Sequence, residues 1–288
     1  MTLPEGWWRV KYEKEGYETA WSDWMTVPPL QTEVNIGLTP IEKMKIESVD
    51  GIIDKQFTGK TIRQDLVVKS GEKVLKEGTD YSLSYSNNTN IGKATVTITG
   101  KGDYTGTIEK EFRIQFKDVT DKNQFYYDPI YWAVDGGITT GFADGTFKPT
   151  NGCNRAAVVT FLWRMAGKPK PTKQASFKDM TGNKDFDTAI SWASEKGVVK
   201  GWDDNTFRPW NTCNRAAIVT FLWRYAKQPE VGSTADFKDM TGNNDFDKAI
   251  SWAAEEGITT GWDDGTFRPW NTCNRLAIVS FLYRYESD

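Results

Sequence analysis

The chain has 288 residues, 38% of them hydrophobic, and a formal net charge of −3 with acids and bases intermixed. That length allows about two or three domains with ordinary cores, and the charge balance excludes a basic footprint for nucleic acid. No run approaches the about 18 apolar residues of a membrane-spanning helix, and no His occurs anywhere, which removes the commonest general base and zinc ligand.

The start, MTLPEGWW, lacks the charged and apolar regions of a secretory leader, so none is expected there. Trp8, Val10 and Tyr12 alternate with polar residues, as do Val34, Ile36 and Leu38, with Pro28-Pro29 between. Both stretches read as half-buried strands. Two strands do not make a stable domain, so residues 1–40 are expected to be the C-terminal part of a β domain, in a chain cut from a longer protein.

Residues 41–115 follow with short alternating runs: Tyr81, Leu83 and Tyr85, a turn at Asn87-Asn88, then Ala94, Val96 and Ile98, and finally Phe112 and Ile114. Short strands at this spacing, with Gly and Asn turns, predict an immunoglobulin-like β-sandwich. The text from VLKEGTDYSLSYSNN to YTGTIEKEFRI resembles the bacterial immunoglobulin-like modules of surface proteins, and a spacer role follows from that resemblance.

From residue 116 the chain repeats itself. Trp132, Trp192 and Trp252 are 60 residues apart, as are Cys153, Cys213 and Cys273. The copies run over 116–170, 177–230 and 237–288. Units of about 50 residues are marginal alone, so the three are expected to stack into one cooperative body, with residues 116–288 as the third domain. Each copy reads helix, loop, helix. Phe246, Ala249, Ile250 and Ala253 lie on one helical face, Gly257 supplies a left-handed stop, and Asp128-Pro129 marks a helix start in the first copy. The second helix opens at a cap, Asn274, and carries Ile278, Phe281, Leu282 and Tyr285 at helical spacing. Apolar stripes of this kind predict an all-α bundle with its loops outward.

The arrangement FxD, W, GxxxGxxDGTFxP and a helix opening NRA or NRL resembles the S-layer homology family. It is carried by Phe237, Asp239, Trp252, Gly257, Gly261, Asp264, Gly265, Phe267, Pro269 and Arg275, and by their counterparts in the other copies. The resemblance implies a pseudo-threefold trimer folded from one chain. It also implies a non-catalytic, extracellular module that holds a surface protein on a Gram-positive-type wall by binding secondary cell-wall polymer, an anionic polysaccharide. The family's helix begins Ile-Thr-Arg-Ala-Glu; here Ala157, Ala217 and Ala277 stand in place of the Glu.

Arg155, Arg215 and Arg275 are the leading candidate site residues. A cation in the first helical turn opposes the helix macrodipole by about 0.3–1 kcal/mol, so a negative partner is expected. Either an internal acid, Asp144, Asp204 or Asp264, supplies it, or a bound anion does, held by the guanidinium beside exposed backbone N–H groups. Trp202 and Trp262, with Phe142 in the first copy, and Trp210 and Trp270 are candidates for stacking on sugar rings or for the core. Trp132, Trp192 and Trp252 read as packing. Asp203-Asp204 and Asp263-Asp264-Gly265 lack the calcium-loop spacing and read as turns. The three Cys read as small buried hydrophobes, with no metal or cofactor implied. Two other functions remain open. One is a structural or protein-interaction terminus whose polymer site has decayed. The other is an enzyme, which without His would need a carboxylate pair that the sequence does not single out.

Overall fold

The computed structural model describes residues 4–27 and 35–287. The chain divides into two compact units. One comprises Met1–Ile52, Gln64–Ser86 and Thr95–Lys110, and the other Ile53–Arg63, Asn87–Ala94 and Glu111–Asp288.

In the first unit, Gly6–Trp8 pairs antiparallel with Met25–Val27, and Lys11–Tyr12 with Ala20–Trp21. The strand expected through Trp8, Val10 and Tyr12 is therefore broken at 9–10. Val34 lies outside the described residues, and Ile36 and Leu38 are not in a strand. Tyr81–Ser86 pairs antiparallel with Gly92–Gly100 in the register Leu83↔Ile98 and Tyr85↔Val96. The alternation read from the sequence puts Ala94, Val96 and Ile98 inside, each at most 1% exposed.

The immunoglobulin-like sandwich is not what these strands build. Among the described residues there is one four-stranded sheet, in the order Tyr81–Ser86, Gly92–Gly100, Thr107–Gln115, Lys55–Gln56, together with one three-stranded and three two-stranded sheets. Two pairings are parallel, Ile114↔Lys55 and Tyr104↔Met44, where such a sandwich is antiparallel throughout. Alternation tells which face a residue takes, and it is silent on which strand lies alongside. A parallel partner needs a long crossover, which the chain between 57 and 106 supplies.

The second unit carries the repeats. Its helices are α1 Tyr127–Asp135, α2 Arg155–Met165, α3 Lys184–Glu195, α4 Arg215–Tyr225, α5 Asn244–Glu255 and α6 Arg275–Ser287. None is long and apolar enough to cross a membrane. Asn154, Asn214 and Asn274 cap α2, α4 and α6 by accepting from the N–H of Ala157, Ala217 and Ala277. Gly257 follows α5 at φ 66°, the left-handed stop. The expected start of α1 is shifted: the helix begins one residue before Asp128, after Tyr126, which makes no side-chain capping bond. Ala249, Ile250, Ala253, Ile278, Phe281 and Leu282 share one continuous core with their counterparts.

The expectation of an all-α body also needs correction, because extended backbone joins the repeats. Asn154 bridges Thr212, Asn214 bridges Thr272, and Gly152 bridges Asn274. At the centre the Cys153 N–H donates to Cys273, Cys213 to Cys153, and Cys273 to Cys213, at 3.1, 2.9 and 2.9 Å. The three bonds form a closed ring, one link per repeat. All three thiols are free and buried.

Candidate functional site

Each repeat presents one loop, shaped by two aspartates. Asp239, from the FKD turn, accepts from the backbone N–H of both Phe267 and Arg268 at 2.8 Å; Asp179 and Asp118 do the same for the other loops. The residues so held, Lys148, Arg208 and Arg268, sit at φ 55–57°, where a non-glycine residue needs such fixing. Gly261 at φ 69° lies so close to Phe237 and the Thr266 carbonyl that a Cβ would collide with both, and Gly141 and Gly201 are alike.

Asp264 accepts from the N–H and hydroxyl of Thr266, then from Arg268 at 2.9 Å. These bonds hold its carboxyl down at about 2. Asp144 is likewise held at about 2 by Thr146 and Lys148, and Asp204 is lowered by Thr206 and Arg208. The candidate acids thus pair with the cation four residues on. Arg208 and Arg268 also lie 4.1 Å over the rings of Trp202 and Trp262. Those rings are 49% and 47% exposed, so they stand at the surface and not in the core. Trp210 and Trp270 are more exposed still, resting edge-on against Phe186 and Phe246.

The leading arginines are held differently. Their helix N-termini are already satisfied: the Arg215 and Ala216 N–H groups donate to the Asn271 and Pro269 carbonyls of the next repeat, and the Ala217 N–H donates to Asn214. No exposed N–H trio waits there for an anion. The Nε of Arg155 donates to the Phe207 carbonyl, that of Arg215 to Phe267 and that of Arg275 to Phe147, at 2.9, 2.8 and 2.7 Å. Each guanidinium is also caged by rings. Around Arg215 these are Phe267 at 4.7 Å, Phe281 at 5.3 Å and Trp262 at 5.9 Å. Burial lowers the pKa of all three, although an Arg keeps its proton in proteins. Among the described residues no carboxylate pairs with any of them, and Arg215 is only 8% exposed.

Two of these cations line cavities. Arg215, the Thr259–Trp262 loop segment, Ala277, Phe281 and Arg284 enclose about 280 Å³; Arg155, Trp202, Ala217, Phe221 and Arg224 enclose about 230 Å³. Each cavity lies between one repeat's helix start and the next repeat's loop. Ala217 and Ala277, where the family's Glu would stand, are wall residues, and their short side chains leave the space open. Arg284, which sequence reasoning missed, donates to the Ile258 carbonyl at 3.0 Å, as Arg164 does to Ile138. Its recurrence every 60 residues was the available signal. The third arginine differs: Arg275 lies 4.7 Å from Phe142 and reaches Thr139. The cavity beside that loop, about 380 Å³, is lined by Phe57, Ile91 and residues 139–143 without Arg275.

Residues 115–159, 176–218 and 236–277 match the S-layer homology domain. The three repeats are tandem matches to that family. Relatives align over about half of the chain. Cell surface glycoprotein 1 of Acetivibrio thermocellus is 28% identical over 158 residues, 50% of this chain and 7% of the relative. The cellulosome-anchoring protein of the same organism is 26% identical over 50% of this chain and 34% of its own length. An S-layer protein of Bacillus licheniformis is 29% identical over 54% and 18%. The chain thus spans about a third or less of each of these relatives. The closed ring of cysteine backbone bonds lies within the three matched stretches.

Proposed function

We propose that this chain is a non-catalytic cell-surface anchor whose S-layer homology repeats bind an anionic polysaccharide of the cell wall in the grooves between them. The observation that carries this reading is Arg215, a buried cation that lines an open cavity with no carboxylate partner among the described residues. An uncompensated buried charge is costly, and an incoming carboxylate or phosphate on a saccharide would remove that cost with charge-assisted hydrogen bonds. Trp202 and Trp262 would offer sugar-stacking faces at the lips. Asp144, Asp204 and Asp264 would serve indirectly, by holding the loops that carry those rings. The cavity walls are cations, aromatics and neutral side chains, a set that holds an anion and offers no acid–base pair for hydrolysis. The family match, and the anchoring and S-layer names of the relatives, support the same reading. Residues before the repeats would act as a spacer.

Sedimentation with purified cell walls tests it. The chain should pellet with intact walls, stay in solution with walls stripped of their polymer, and lose binding as the triple variant Arg155→Ala, Arg215→Ala, Arg275→Ala. Equal pelleting by wild type and triple variant would favour a structural or protein-contacting terminus instead.

A further inference from the structure

The grooves differ at one position of the lip. Seven residues before the mid-helix tryptophan stands Asp245 in the third repeat, Asp185 in the second and Phe125 in the first. Because the repeats close in a ring, this residue reaches the groove of the repeat before it. Asp245 meets the groove of Arg155 and Arg224, and Phe125 lines the groove of Arg215 and Arg284.

The consequences are visible in the arginines. Asp245 accepts from Arg224 at 2.9 Å and lies 3.7 Å from Lys200. Arg224 is drawn away from the backbone carbonyl that Arg164 and Arg284 use, and its Nε is left buried without a hydrogen-bond partner. In the other groove Thr260 replaces Lys200, Arg284 keeps its carbonyl, and the lip is a phenyl ring 67% exposed. The first groove already holds its own anion. The second holds two guanidinium groups and an aromatic face with no carboxylate on its walls.

Building on the wall-polymer reading, we infer that the groove of Arg215, Arg284 and Phe125 is the binding groove of this chain. Phe125 is the stacking face for a negatively charged sugar residue, and Asp245 is an internal carboxylate that shuts the neighbouring groove of Arg155 and Arg224. A tethered acid competes with any incoming anion at high effective concentration, and like charges across an interface repel. The open cavity, about 280 Å³, is near the low end of the about 300–1,000 Å³ of small-molecule sites, so it takes a sugar unit and not a length of polymer.

The test uses the full chain and walls of the producing bacterium, with bound protein measured against free protein. Phe125→Asp should weaken binding at least about tenfold, and Phe125→Ala by less. Arg215→Ala should abolish binding, and Arg155→Ala should weaken it far less. Asp245→Asn should tighten apparent binding by opening a second groove, and adding Arg155→Ala to it should remove that gain. Unchanged near-ultraviolet circular dichroism confirms folding, which the exposure of Phe125 favours. Wild-type binding that ignores Phe125→Asp, or that falls equally with Arg155→Ala and Arg215→Ala, overturns this inference and leaves the anchoring role standing. Failure of the wild type itself to bind intact walls removes both.

Discussion

Asp239 accepts two consecutive backbone N–H groups, one of them from a residue at φ 57°. Hydrogen bonds to a charged acceptor contribute more than neutral ones, so Asp239→Asn should cost about 2 kcal/mol and lower the Tm by about 4–8 °C. Thermal unfolding measures this, and an unchanged Tm would show that the loop holds itself. Asp264 makes a different prediction, in pH. Its carboxyl is depressed from 3.8 to about 2 by Thr266 and Arg268. The loop support it gives is therefore complete above its unfolded value and is lost as pH falls through about 2. Because Arg268 stacks on Trp262, tryptophan emission should change across that window, and the change should be smaller in Asp264→Asn. The sequence reading offered Asp264 as a partner for the helix arginines, whereas the acid pairs with Arg268, four residues on in the same turn. The target of Arg215 was not legible either, because the Phe267 carbonyl lies 52 residues away in another repeat.

At the level of helices, what the sequence showed was local. Periodicity located the helices, Asn274 was recognised as the cap before Arg275, and Gly257 as the stop, because capping and handedness depend on a few adjacent residues. Asn214→Ala should thus cost about 1 kcal/mol, read as a lower denaturation midpoint with an unchanged slope. A cost near zero would mean that the Asn271 and Pro269 carbonyls alone secure that helix start. The β region was legible only by face. Its alternation correctly buried Val96 and Ile98, whereas strand partnership, including the parallel pairing of Ile114 with Lys55, depends on contacts distant in sequence. The α1 start was misread for a related reason: Pro129 is tolerated anywhere in the first turn, so it marks the turn without fixing the residue.

Over the whole repeat unit, the cysteines report whether the three copies act as one. Each Cys gives its backbone N–H to another repeat and lends its carbonyl to a third, so exposing one thiol means opening the ring. Burial pushes all three thiols up, Cys213 to about 12, and a protonated, enclosed thiol is inert to alkylation. Marginal units joined through shared backbone bonds should open together and not singly. A pulse of iodoacetamide at neutral pH, read by intact mass during denaturant unfolding, should therefore show chains carrying either no label or three. A substantial singly labelled population under native conditions would mean that one repeat opens by itself, and a groove built from two repeats would then open with it.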